Sequence, residues 1–159
     1  MSRMGRFDSS QLRKLQANLD KLQDANVDAF CEECAKELAA RLLAKVIKRT
    51  PVGQYPSGSG KTGGTLRRGW TSQNGSGGNT SAKKAVDSLT IHHFGDTYVI
   101  EIINPVEYAS YVEYGHRTPS HRGWVPGQFM MTISEQEIQT IAPRVLENKL
   151  KKFLGGAFQ

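Results

Sequence analysis

Residues 86–104 read Val86-Asp87-Ser88-Leu89-Thr90-Ile91-His92-His93-Phe94-Gly95-Asp96-Thr97-Tyr98-Val99-Ile100-Glu101-Ile102-Ile103-Asn104. Two runs rich in β-branched and apolar residues, Val86 to Phe94 and Thr97 to Asn104, flank the pair Gly95-Asp96, which has the chemistry of a two-residue hairpin turn. Pro105 stops the second run, because proline has no N–H to give to a ladder. The pattern predicts a small sheet that is antiparallel at its centre.

Upstream of the hairpin the pattern is helical. Asp8 can cap a helix whose N3 residue is Gln11, and Leu12, Leu15, Leu19 and Leu22 then form one apolar stripe. The stripe lapses at Asn26 and resumes through Val27, Phe30, Cys34, Leu38, Leu42 and Val46, with Ala35, Ala39, Leu43 and Ile47 widening it. A helical region over residues 8–50 follows, ending before Pro51. If unbroken it would be about 60 Å long at 1.5 Å per residue, more than a domain of this size can cover, so part of it is expected to pack on another subunit. Residues 51–64 are rich in Gly, Pro and Ser and read as a flexible loop. Thr65 to Thr71 reads as a short strand, which makes residues 65–104 a sheet region interrupted by a Gly-rich loop at 74–79.

Downstream, residues 106–115 suit a short helix closed by Gly115. The segment Arg117 to Gly127 reads as a loop, and residues 128–154 as a long C-terminal helix kinked at Pro143. The expected class is α+β: long N-terminal helix, small antiparallel sheet with a central hairpin, short helix, long C-terminal helix. The whole chain, 1–159, reads as a single domain, since 159 residues allow one modest core.

Apolar residues make up 38% of the chain and charged residues 23%, enough core-forming side chains to exclude global disorder. No apolar run nears the roughly 20 residues that span a bilayer, and the first residues carry no apolar signal core. The expectation is a soluble protein of the cytosol with no membrane partner. Its two cysteines, Cys31 and Cys34, fall within a helical pattern and give no disulfide framework.

The net charge of +6 is unevenly placed. Residues 51–86 hold Lys61, Arg67, Arg68, Lys83 and Lys84 with no acid, whereas residues 87–115 hold Asp87, Asp96, Glu101, Glu107 and Glu113 with no Lys or Arg. A basic balance alone would suggest nucleic acid as a partner. Segregated charge suggests a second arrangement, in which the basic segment of one copy faces the acidic segment of the next, head to tail.

Motifs for chemistry fail on inspection. Ser57-Gly58-Ser59-Gly60-Lys61-Thr62 resembles the end of a phosphate-binding loop, but Tyr55 occupies the position of the required first glycine, and a helix rather than a strand precedes it. Cys31-Glu32-Glu33-Cys34 has redox spacing in mid-helix, the wrong place for a redox pair. The four histidines, His92, His93, His116 and His121, would need distant parts of the chain to assemble a zinc site. Glu107 and Glu113, six apart, fall on different sides of a short helix. No catalytic residues, no metal ligands and no cofactor are expected. Arg67 and Arg68 beside Trp70, with Lys61, Lys83 and Lys84, can touch phosphates without reading sequence. Tyr108, Tyr111, Tyr114 and Trp124 form an aromatic cluster of the kind that fills cores or anchors interfaces.

Three stretches together resemble a known family: Pro51-Val52, Thr62-Gly63-Gly64-Thr65-Leu66-Arg67-Arg68, and Val106-Glu107-Tyr108-Ala109-Ser110-Tyr111-Val112-Glu113-Tyr114-Gly115. The pattern is similar to that of the tail-component family of tailed bacteriophages and prophages, small neck or tail-completion proteins of the head–tail joining region. The loop from Val52 to Thr62 is longer than the usual pattern, and Gly64 is an extra glycine. The resemblance implies a structural virion protein, assembled in the bacterial cytoplasm, with no enzymatic activity. Such a protein forms a homo-oligomeric ring between head-side adaptor or head-closure proteins and tail-side terminator proteins. Lys61, Arg67, Arg68, Trp70, Glu107, Tyr108, Tyr111, Glu113, Tyr114 and Trp124 are then the candidates for the subunit interface or the lumen, where passing DNA could be touched. The alternative is a basic protein that binds nucleic acid without sequence preference.

Overall fold

A computed structural model describes residues 10–23, 26–71 and 81–157. The Asp8 cap and the 74–79 loop lie outside these residues. The helical region consists of α1 (Ser10–Gln23) and α2 (Val27–Arg49). Asn26 starts α2 by accepting a hydrogen bond from the Ala29 N–H at 2.9 Å, which satisfies one of the orphan donors of the first turn. Thr50 and Pro51 end it.

The long C-terminal helix, here called α6 (Met130–Ala157), runs on past Pro143 and packs antiparallel to α2. The direction follows from the pairs that link them. Glu33 meets Lys149 at 2.5 Å, and Lys45 and Arg49 both reach Glu137, at 2.7 and 2.6 Å. Phe30 stacks on Phe153 with ring centroids 4.3 Å apart. Between α2 and the rest lies the core, built from Ala39, Leu43, Val46, Leu66, Trp70, Ala85, Val86 and Met130. Burying one large aliphatic side chain such as Leu43 or Met130 stabilises by about 1.5–3 kcal/mol relative to exposure.

The expected strand at residues 65–71 is instead a short helix, α3 (Thr65–Gly69). Leu66 and Trp70, four residues apart, both reach the core, which a helix permits and a strand, with its period of two, permits less well. The first half of the run at 86–94 is likewise corrected. Ser81 caps α4 (Ala82–Asp87) by accepting from the Lys84 N–H, and Ala85 and Val86 are buried within it. The hairpin itself is as expected but shorter: β1 (Ile91–Phe94) pairs antiparallel with β2 (Thr97–Ile100), Phe94 facing Thr97 across the Gly95-Asp96 turn. Gly95 takes φ +58°, a conformation that side chains disfavour. Residues 101–104 continue outside any ladder.

The expected short helix is α5 (Ala109–Tyr114), preceded by a turn at Val106 whose N–H is held by Asn104. The expected 117–127 loop holds a second hairpin, β3 (Gly115–Arg117) with β4 (Trp124–Pro126). Its loop is closed by Thr118, whose N–H donates to the Gly123 carbonyl at 3.0 Å and whose hydroxyl accepts from the Gly123 N–H at 3.1 Å. Two separate two-stranded sheets thus replace the single small sheet. The class is α+β.

Candidate interaction surface

Three clusters collect the residues that stand out in the sequence. The first is a knot at the end of α2. The Thr50 hydroxyl donates to the Val46 carbonyl at 2.7 Å and accepts from the Trp70 indole N–H at 2.8 Å. The Thr50 carbonyl accepts both Nε and Nη2 of Arg67, at 3.2 and 2.7 Å. A cation at a helix C-terminus, bidentate on an orphan carbonyl, satisfies the helix end and complements its dipole. Arg68 turns back to the Gly63 carbonyl at 3.2 Å. Trp70 is buried and so does not present itself outward, while the half-buried Arg67 and Arg68 both donate within the chain.

The second is a clamp at the start of α6. Phe129 precedes the helix with φ +48° and offers no capping side chain. Glu113 reaches across from α5 instead. Its carboxylate accepts the N–H groups of Met131 and Thr132, each at 2.9 Å, and the Thr132 hydroxyl at 2.7 Å. The main chain joins in: Gln128 N–H donates to the Val112 carbonyl at 2.7 Å and Phe129 N–H to the Glu113 carbonyl at 3.0 Å, so the end of α5 and the beginning of α6 satisfy one another. Gly127 is required here, since a Cβ would collide with the Glu113 carbonyl and the Tyr114 backbone. A carboxylate against a helix N-terminus is favoured by charge as well as by hydrogen bonding. Glu113 is only 6% exposed, which removes it from the charge pairing between copies expected of it.

The third cluster faces out. Tyr108, Tyr111 and Tyr114 recur every three residues and leave one side of α5, while Ala109, Val112 and Glu113 turn inward. Tyr114 is 64% exposed, and Trp124, on β4, 60%; Tyr108, Tyr111, Val125 and Phe129 are exposed as well. Tyr111 approaches the His116 ring with centroids 6.0 Å apart. Large aromatic side chains held outward on paired backbone give contact area at low entropic cost, the usual substance of interface anchors. Glu107, at the head of this segment, is exposed too.

Of the remaining candidates, Lys61 is exposed in the loop after α2, with its ammonium 5.8 Å from the Tyr55 ring centroid, and Lys83 and Lys84 are exposed on α4. Cys31 and Cys34 are free thiols, and burial pushes Cys34 above its ordinary value. Among the described residues no group of three or more His, Cys, Asp or Glu is placed to hold a metal ion, and no helix is long and apolar enough to cross a membrane. Two features escaped sequence reasoning: Thr50, a lone polar residue ending a helix, and the exposure of Val125 and Phe129.

Compared with known proteins, the chain matches the model of the bacteriophage HK97-gp10 tail-component family over residues 13–115, which runs from α1 to the end of α5. No curated protein matches, and no solved structure does.

Proposed function

The chain belongs to the HK97-gp10-like family of bacteriophage tail components, and from that premise we propose that it is a neck or tail-completion subunit whose copies form a ring helping to join head to tail. It works by contact and performs no chemistry. The observation that carries this reading is the outward aromatic row of Tyr108, Tyr111 and Tyr114 with Trp124, an exposed apolar surface of the kind that marks interaction sites. Its partners are other copies of itself and the neighbouring head-side adaptor or head-closure and tail-side terminator proteins.

Charge supports direction in such a ring. Asp87, Asp96, Glu101 and Glu107 are exposed, as are Lys61, Lys83 and Lys84, so opposite signs are available to adjacent copies. Binding of nucleic acid is the less supported reading, because Arg67 and Arg68 are engaged within the chain, leaving the lysines as the groups for non-specific contact with DNA in the lumen.

The test is electron microscopy and mass measurement of the purified chain beside a Tyr111→Ser/Tyr114→Ser/Trp124→Ser variant. Rings from the natural chain, lost in a variant with unchanged circular dichroism, are expected. Rings that persist in the variant would overturn the role of the aromatic row. A natural chain that stays monomeric and binds DNA with a steep salt dependence would favour the nucleic-acid reading instead.

A further inference from the structure

Two further apolar surfaces stay partly open among the described residues. On α1, Leu12, Leu15 and Leu19 form a row in which each residue is 53% exposed, although α1 itself packs against α6. Between α2 and α6 an open groove of about 700 Å³ has Cys31, Cys34 and Leu38 on one wall, Leu146 and Leu150 on the other, and Tyr98 of the first hairpin at its side. Leu146 and Leu150 are exposed there.

We propose that the leucine row of α1 docks into the α2/α6 groove of a neighbouring copy. Both surfaces step by three and then four residues, Leu12-Leu15-Leu19 against Cys31-Cys34-Leu38, each about 10 Å along a helix. Matched rows of this kind let one helix's ridges enter the other's grooves, and the small cysteines leave space for leucine side chains. Charge agrees with the fit. Arg13 and Lys14 are exposed beside the leucines, Asp96 and Glu147 line the groove, and Asp28 and Glu32 are exposed on α2. Tyr98 ties the hairpin to α2, its hydroxyl donating to Asp28 at 2.8 Å.

The inference rests on the self-association proposed above and names one of its contacts. Donor helix and acceptor groove are different surfaces, so the contact is heterologous, the kind that closes into a ring when the rotation between copies allows.

The experiment mixes two differently tagged full-length chains under mild oxidation. The donor carries Leu15→Cys with Cys31→Ser and Cys34→Ser; the acceptor carries Cys34→Ser and keeps Cys31. A mixed disulfide joining the two tags is the expected product, together with a loss of assembly of at least about tenfold in a separate Leu15→Asp variant whose circular dichroism is unchanged. A chain combining Leu15→Cys with Cys34→Ser that yields only a monomeric internal disulfide would show that α1 folds onto its own groove, and would overturn the proposal. Rings that form without the mixed disulfide and tolerate Leu15→Asp would overturn this contact while leaving the ring standing. A mass that stays monomeric throughout would remove both.

Discussion

Helix α5 carries two faces of opposite character. Glu113 and Tyr114 are consecutive, yet one side chain is almost wholly enclosed while the next is about two-thirds open. The inner face is fully used: Glu113 satisfies two N–H groups and a hydroxyl of α6, and Ala109 and Val112 pack against the core. The outer face is aromatic, and among the described residues nothing encloses it as the clamp encloses Glu113. Here the Glu113 carboxylate serves the subunit's own fold, and the neighbouring Tyr114 ring stays on the surface.

The largest effect should come from breaking the inner face. Glu113→Ala leaves buried donors at the start of α6 without an acceptor and is expected to cost on the order of 3 kcal/mol, lowering the melting temperature by about 10 °C. Glu113→Gln, which keeps an acceptor in place, should cost about 1 kcal/mol; thermal melts followed by circular dichroism compare the two. Equal losses in both would show that packing, and not the clamp, sets the stability. The Thr50 knot gives the next effect. Trp70→Phe fills most of the same space but removes the N–H donated to Thr50, and should cost about 1–2 kcal/mol by urea unfolding.

The outer face should respond the other way. Tyr114→Ser with Trp124→Ser is expected to leave the melting temperature nearly unchanged, within about 0.5 kcal/mol, while assembly fails. Glu107→Lys belongs with them, as an exposed charge reversal that spares the fold and weakens association. Glu113 cannot serve that purpose, because reversing it would break the clamp. A loss of stability in Glu107→Lys comparable to Glu113→Ala would erase the distinction between the faces.

Much of this organisation was legible in the sequence, and the failures share a cause. The helices α2 and α6 announce themselves by periodicity, and the Gly95-Asp96 turn by its own local chemistry. Thr65 to Thr71 misleads because its conformation is decided by Thr50, fifteen or more residues away, and by a shared core that only the folded chain creates. Val86 reads as strand until the Ser81 cap draws it into a helix. The β3–β4 hairpin has only three residues a side, too few to show alternation, and depends on the close approach of Gly127 to α5. The tyrosine cluster was visible as a cluster. Which way it faces was not, since that is fixed by Glu113 reaching Thr132, a contact nineteen positions along the chain.

The smallest expected effect concerns the links between α2 and α6. Lys149 holds Glu33, and Lys45 with Arg49 hold Glu137, each below the usual carboxylate range. A carboxyl whose folded value is lowered contributes stability above its unfolded value and loses it as pH falls through the folded one. Stability should therefore decline modestly on acidification through and below the ordinary carboxylate range, and less so in Glu137→Gln, as read by urea midpoints against pH. The pairs are exposed, so the effect stays small beside the clamp. At the other extreme, the hydrogen bond to Asp28 pushes the Tyr98 phenol up to about 12, so that contact persists until strongly alkaline pH.

The central claim, that this subunit acts through its outer apolar surfaces, is tested most directly by imaging the assembled particle. A cryo-electron-microscopy map of the intact virion should place copies of this chain in a ring at the head–tail junction, with Tyr111, Tyr114 and Trp124 enclosed against a neighbour. Copies whose aromatic face remains open to solvent within the particle would contradict it.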